Sequence, residues 1–168
     1  MFNCSIEEMI WSQDAAIYEN KSYYVRLLEE ADKKEFCMLM RAHRYMGPML
    51  RLIDKIENKS GVDDIYWDNY LHEGKTYVIR MKDHNAFVGY VYFEGIDTNS
   101  PEMTMQFDES KLPEGLDFSM MREFLNKIQK EYNVRAIHAY ANSNIERKMY
   151  SHFGYKNVED ELMLALPL

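Results

Sequence analysis

Two groups of residues have types and spacings that could do chemistry. Tyr150 stands one helical turn before Gly154, in the run V-R-A-I-H-A-Y-A-N-S-N-I-E-R-K-M-Y-S-H-F-G-Y-K-N-V from Val134 to Val158. Its phenol is a polar group on an otherwise core-like helix face, and a ring packed in the core is the plainer reading. The second group is Arg41, His43 and Arg44. Its positive charge could attract an anion, although a solvated helix face is the plainer reading. Other chemistries lack their residues. Cys4 and Cys37 have neither metal-ligand spacing nor enough company for a disulfide framework, so no metal site is expected. No P-loop, zinc-enzyme or serine-hydrolase motif occurs.

The elements around Tyr150 follow from local pattern. Ala136 to Ala141 reads as a strand. Asn142-Ser143-Asn144 offers short polar side chains that can cap the free N–H groups of a first helical turn. A helix then runs to about Phe153, with Ile145 and Met149 on one face, and Gly154 stops it. Tyr155 and Val158 resume an extended pattern.

The remaining chain continues in the same style. Ser5-Ile6-Glu7-Glu8 fits a capping box, and Ile6, Met9, Ile10 and Ile17 share a helical face. This predicts a helical extension over 1–21, covering the core or forming a homodimer contact. Tyr24 to Leu28 reads as a first strand. Asp32-Lys33-Lys34-Glu35 gives another capping box, opening a helix with Phe36, Leu39, Met40 and His43 on one face, which Gly47-Pro48 breaks. Met49, Leu52, Ile53 and Ile56 predict a second helix, and Tyr66, Trp67, Tyr70 and Leu71 a short aromatic one capped by Asp63 or Asp64. Lys75 to Lys82 alternates as a strand, with Tyr77, Ile79 and Met81 on one face and Val78 and Arg80 on the other. After the turn residues Asp83-His84-Asn85 comes a strand over Ala86 to Ile96, where Gly89 marks a bulge or a close approach. Glu102 to Phe107 is the fourth strand. A helix from about Asp117 follows, with Phe118, Met121, Leu125, Ile128 and Tyr132 on one stripe, and Leu162 to Leu166 is the last strand.

Composition bounds the function classes. The 168 residues suit one domain with a real core; 46% are hydrophobic and 14% aromatic, with only 7 Gly and 4 Pro, against disorder. A net charge of −8 disfavours nucleic-acid binding and leans toward cationic ligands, although acidic proteins also stay soluble this way. The cysteine usage suits a reducing cytoplasm. No apolar run of membrane-spanning length and no basic-then-apolar secretory start is present, so neither a membrane association nor a signal peptide is expected.

Tyr150-Ser151-His152-Phe153-Gly154-Tyr155 resembles the Y-x-x-x-G-F/Y signature of the GNAT (N-acetyltransferase) superfamily. The order strand, two or three helices, three strands, helix, strand, helix, strand resembles that family's layout from about Tyr23 to Leu168. The resemblance implies an α/β fold: a mixed, mostly antiparallel sheet of six to seven strands flanked by helices. Residues 22–168 would form the GNAT-like acyltransferase domain, with the N-terminal helix added. It also implies that Tyr150 sits near the acyl-CoA sulfur and protonates the departing thiolate. The coenzyme-contacting asparagine of the family falls at Ser143 here, with Asn142 and Asn144 on either side. The helices after the first strand would form the substrate-side wall.

The coenzyme's pyrophosphate is held in that family by a loop resembling Q/R-x-x-G-x-G/A at a helix start, where bare N–H groups and the helix dipole face the phosphates. The corresponding run here is Leu112-Pro113-Glu114-Gly115-Leu116-Asp117. Gly115 is kept; Leu112 replaces the arginine or glutamine, and Asp117 the second glycine. The resemblance places Gly115, Leu116 and Asp117 at the phosphates. Asp117 is also a good N-cap, competing for the same donors. At about 5 Å and an effective dielectric near 20, one like-charge contact there costs roughly 3 kcal/mol before screening.

The implied function is transfer of an acetyl or other acyl group from acyl-CoA to an amine, on a small molecule such as a polyamine or aminoglycoside-like cation, or on a protein. Acetyl-CoA is the implied co-substrate. Backbone N–H groups of the fourth strand, Met105 to Phe107, would hold the thioester oxygen. Glu102 is the leading general base, with Glu94 and His138 as alternatives, each also explicable as an ordinary strand residue. The second reading is a GNAT-fold binding or regulatory module without catalysis, which Leu112, Glu114, Asp117 and Ser143 favour.

Overall fold

The computed structural model describes residues 16–42, 67–68, 70–72, 75–98, 101–111, 119–139, 144–152, 156–158 and 161–165, with Pro48, Leu52 and Lys55 as isolated helical positions. Its centre is one sheet of eight strands: β1 Tyr18–Glu19, β2 Tyr23–Leu27, β3 Thr76–Met81, β4 Phe87–Glu94, β5 Glu102–Phe107, β6 Ala136–Ala139, β7 Lys156–Val158 and β8 Glu161–Ala165. They lie in the order β1-β2-β3-β4-β5-β6-β8-β7. Every neighbouring pair is antiparallel except β5 and β6, which run parallel. Helix α1 spans Lys33–Arg41, α2 Ser119–Tyr132 and α3 Asn144–His152. The α/β class and the mostly antiparallel mixed sheet agree with the sequence pattern.

Strand β1, the one not expected, corrects the pattern at its start. Tyr18 and Glu19 pair with Val25 and Tyr24 as a hairpin arm rather than continuing a helix to residue 21. The cause is Asn20, whose side-chain oxygen accepts the N–H groups of both Ser22 and Tyr23 at 2.8 Å. Such an asparagine turn reverses the chain within three residues. Tyr18 is then tied to α2: its hydroxyl donates to Glu123 Oε2 at 2.5 Å, and Lys127 reaches the Ile17 carbonyl at 2.9 Å. Residues 1–15, where the helical expectation otherwise falls, lie outside the described residues.

The alternation in β3 sets the two faces of the sheet. Tyr77 and Ile79 enter the larger core, beneath α2, with Phe93, Met103, Met105 and Val25. From α2 this core takes Met120, Met121, Phe124, Leu125 and Ile128, and the Tyr77 and Phe124 rings meet edge-on at 5.4 Å. Val78 enters the second core, with Phe36 and Met40 of α1, Trp67, Phe87 and Tyr90. Asn133, with a φ of 53°, ends α2, and the Val134 N–H bonds back to Gln129 at 3.2 Å. That is a Schellman stop, which turns the chain into β6.

Gly89 earns its place by close approach. The β3–β4 register shifts between Ile79 and Arg80, opposite Gly89, so the strand bulges as the sequence suggested. A Cβ there would lie 2.4 Å from the Gln106 carbonyl oxygen.

Candidate functional site

The one parallel seam among the described strands, between β5 and β6, organises the site. Its described pairs are Glu102↔His138 and Met103↔Ala139, and the His138 N–H donates to the Pro101 carbonyl at 2.9 Å. Along its other edge β5 pairs with β4 over its whole length, from Gly89↔Phe107 to Glu94↔Glu102. The Asp108 N–H donates to Val88 at 2.8 Å, which sets the phase of that ladder. By alternation, even-numbered residues of β5 turn their peptide groups to β4, and Met103, Met105 and Phe107 turn theirs toward β6. Their side chains go into the larger core, where Met103 and Met105 are fully buried.

Helix α3 brings Tyr150 to the same core. Tyr150 and Met149 are fully buried in one cluster with Met103, Met105 and Phe107. Four residues earlier, on the same side of the helix, Glu146 is also buried, at 2% exposure.

The opposite face of the sheet carries polar groups in rows. Tyr90 and Gln106 are direct cross-strand partners, and the Tyr90 hydroxyl donates to Gln106 Oε1 at 2.9 Å. Burial, then the neighbouring Tyr70 and Glu146, push the Tyr90 phenol well above its ordinary pKa, so it stays protonated. Toward the start of β5, Glu94, Glu102 and His138 lie side by side on three adjacent strands. The two glutamates are exposed and His138 is half-buried. The three candidate bases thus form one row on the face that α1 covers, although His138 is far from the two glutamates in sequence.

A buried ion network holds α1 to this face. Asp32, just before α1, is fully buried and accepts from Arg26 Nη1 and Nη2 at 2.7 and 2.9 Å. Arg80 adds Nε and Nη2 contacts to the same carboxylate at 3.1 and 2.7 Å. Arg80 also reaches Glu35, and its guanidinium lies 5.4 Å from the Phe87 ring centre. Asp32 therefore does not cap α1 with its side chain, contrary to the capping-box pattern; the capping box forms instead between Glu29 and Asp32. Burial works against the charge on Asp32, but the hydrogen bonds and charges of the two arginines outweigh it. They hold the carboxyl below its usual pKa.

No protein-family model and no curated protein matches the sequence. Solved structures do match in shape. Spermidine N-acetyltransferase from Vibrio cholerae, in complex with CoA and spermine, superposes with a TM-score of 0.66 at 12% identity, over 87% of this chain and 96% of that one. A GNAT-family acetyltransferase from Bacillus anthracis gives 0.60 at 15% identity, over 88% and 96%. Ribosomal-protein-S5-alanine acetyltransferase from Vibrio fischeri gives 0.59 at 12%, over 88% and 95%. This chain has the GNAT fold.

Within that GNAT fold the expected site residues divide into two sets. Tyr150, Met105 and Phe107 come together in one core, and Glu102 stands at the start of the same strand with Glu94 and His138 beside it. Gly115, Leu116 and Asp117, with Leu112 and Glu114, lie outside the described residues, as do Asn142 and Ser143; Asn144 is the first residue of α3. Of the basic cluster, Arg41 ends α1, and His43 and Arg44 lie outside the described residues. Sequence reasoning missed Glu146, the Tyr90–Gln106 pair and Asp32 with its two arginines. The arginines left a signal: each interrupts an apolar strand, Y-Y-V-R-L and T-Y-V-I-R-M. No helix among the described residues is long and apolar enough to cross a membrane.

Proposed function

We propose that the protein is an acyl-CoA-dependent N-acyltransferase that moves an acetyl or similar group to an amine. The observation that carries this reading is the parallel β5–β6 seam, along which β5 turns the peptide groups of Met103, Met105 and Phe107 toward β6, with Glu102 at the start of the strand. In this reading Tyr150 would supply the proton from α3, whose buried face shares the larger core, and Glu102 would act from the other face of the sheet. The GNAT fold of the neighbouring acetyltransferases adds weight to it.

The reaction would run by direct attack. The amine nitrogen adds to the thioester carbonyl carbon, and the negative charge gathers on the carbonyl oxygen. Peptide N–H groups on the β6 side of Met105 to Phe107 would stabilise that charge, because they are fixed before the reaction begins. Glu102 would take the proton that the amine loses. The C–S bond then breaks, and Tyr150 gives its phenolic proton to the CoA thiolate. The products are an amide and free CoA, and the proton on Glu102 returns to Tyr150 through solvent. Coenzyme phosphates would meet the loop of Gly115, Leu116 and Asp117, with Asn142 and Asn144 toward the pantetheine side.

A second reading is supported by Leu112, Glu114 and Asp117, apolar and acidic residues at the sequence positions that the GNAT resemblance assigns to the phosphate loop. In that reading the GNAT fold serves as a non-catalytic binding or regulatory module. Release of free CoA thiol from acetyl-CoA, followed against a panel of amines, separates the two. Amine-dependent release supports transfer; release no faster than buffer with every amine contradicts it.

A further inference from the structure

Charged groups of alternating sign run in one chain from the interior to the turn that follows β5. The chain begins at Arg26 on β2 and passes through Asp32 to Arg80 on β3. It continues through Glu35 on α1 to Lys111. Glu35 uses its two oxygens in opposite directions. Oε1 lies 3.1 Å from Arg80 Nη2, and Oε2 lies 3.7 Å from Lys111 Nζ. The last member is Asp108, whose Oδ2 is also 3.7 Å from Lys111 Nζ. Among the described residues, Glu35 and Asp108 are the carboxylates within 4 Å of that ammonium.

The two ends of this chain are fixed by different contacts. Arg80 is buried, and besides Asp32 it donates from Nη1 to the Asn85 carbonyl at 2.7 Å. The turn Glu109–Lys111 is exposed, and Asp108 gives it its shape. Asp108 Oδ1 accepts the Ser110 N–H at 3.1 Å and the Ser110 hydroxyl at 2.6 Å. The Lys111 N–H donates to the Asp108 carbonyl at 3.0 Å. Asp108 therefore shapes the turn, and Glu35 ties it to α1. Loss of Glu35 leaves the contacts within the turn in place and removes this tie. Lys111 immediately precedes Leu112, so whatever fixes Lys111 fixes where the segment 112–117 begins.

We propose that Glu35 is a positioning residue for the segment 112–117, acting through Lys111. The inference rests on the transferase reading, which gives that segment to the coenzyme phosphates. It couples the phosphate side to the helix that covers the row of Glu94, Glu102 and His138. Fixing the start of the segment in advance reduces the ordering cost of coenzyme binding. Glu35 and Lys111 are 38% and 39% exposed and lie beyond hydrogen-bond distance, so the coupling has the size of a surface ion pair. The sign of the effect sets this role apart from simple electrostatics. The stretch 108–117 carries four carboxylates against one lysine, a field already unfavourable to phosphate. Removing the Glu35 charge would, by Coulomb attraction alone, tighten the binding of an anionic coenzyme. Positioning predicts weaker binding.

The test titrates acetyl-CoA calorimetrically into the full chain, Glu35→Gln, Lys111→Gln and the double variant. Glu35→Gln is expected to raise Kd about threefold. In the Lys111→Gln background the same change should weaken binding no further, because its partner is already gone. Urea midpoints should stay near that of the native chain, since Asp32 keeps both arginines in every variant. An unchanged or lower Kd for Glu35→Gln overturns the proposal, whether or not the midpoint moves. So does an equal loss from Glu35→Gln in the presence and absence of Lys111. Either result leaves the transferase reading intact, because the native chain still binds the coenzyme. Absence of acetyl-CoA binding by the native chain overturns both.

Discussion

Asp32 and Arg80, 48 residues apart, meet in the interior with Arg80 Nη2 2.7 Å from Asp32 Oδ1 and with neither residue more than 5% exposed. The contact joins β3 to the residue that launches α1. Arg26 completes it from β2 at 2.7 Å, so one carboxylate serves two guanidinium groups. Taking such ions out of water costs several kcal/mol each, and it is offset only while the set is complete.

Loss of the carboxylate charge should therefore be severe. Asp32→Asn leaves Arg26 and Arg80 buried with too little negative charge, and should destabilise the fold by about 3–5 kcal/mol in urea unfolding. Arg26 Nε is already buried without a hydrogen-bond partner. Replacing Asp32, Arg26 and Arg80 together with apolar residues should consequently cost much less than the single change. A loss under about 1 kcal/mol for Asp32→Asn would contradict this account.

The same carboxylate predicts an acid dependence. Its pKa is lowered by folding, so the unfolded chain binds its proton first. The stabilisation is present above the unfolded value, near 3.9, and is lost as pH falls through the lower folded value. Urea midpoints from pH 6 down to 2 should fall steeply at the acid end. The Asp32→Asn series should fall less over that interval.

Gly89 offers a steric prediction. Ala at this position would put its Cβ 2.4 Å from the Gln106 carbonyl oxygen, which is backbone and cannot swing away. Overpacking of this kind costs about 1–3 kcal/mol. In a chain of this length that lowers Tm by roughly 2–4 °C per kcal/mol. A melting temperature equal to that of the native chain would show that the bulge relaxes freely.

Tyr150→Phe keeps the buried ring and removes the proton donor. Thiol release should fall by about a hundredfold in kcat, the lower end for loss of a positioned general acid, with KM for the acyl donor nearly unchanged. Stability should change little. Full activity in this variant would assign the proton to another donor.

The fold was legible where the pattern was local and strong. Strand alternation from Tyr77 to Met81 named both faces correctly, and Glu102 to Phe107 is found with the bounds the sequence suggested. The helical stripe of Met121, Leu125 and Ile128 is buried beneath the sheet, although Phe124 and Met120 share the burial. Long-range charge pairing was not legible. Asp32 has the spacing of a local cap, and no local rule weighs a cap against two arginines from other strands. The row of Glu94, Glu102 and His138 was likewise visible only as three separate candidates, because their adjacency depends on strand order and register. The Tyr18–Glu19 arm was lost to an apparent helical period that Asn20 interrupts.

Calorimetric titration of the purified chain with acetyl-CoA, beside an Asp117→Gly variant, tests the central claim most directly. The transferase account predicts micromolar binding by the native chain. Removing the like charge should tighten binding by up to a factor on the order of a hundred. Binding only in the glycine variant would mean that the phosphate site is closed and the module reading holds. Absence of binding in both would contradict any role for the coenzyme and leave the GNAT fold without its transferase function.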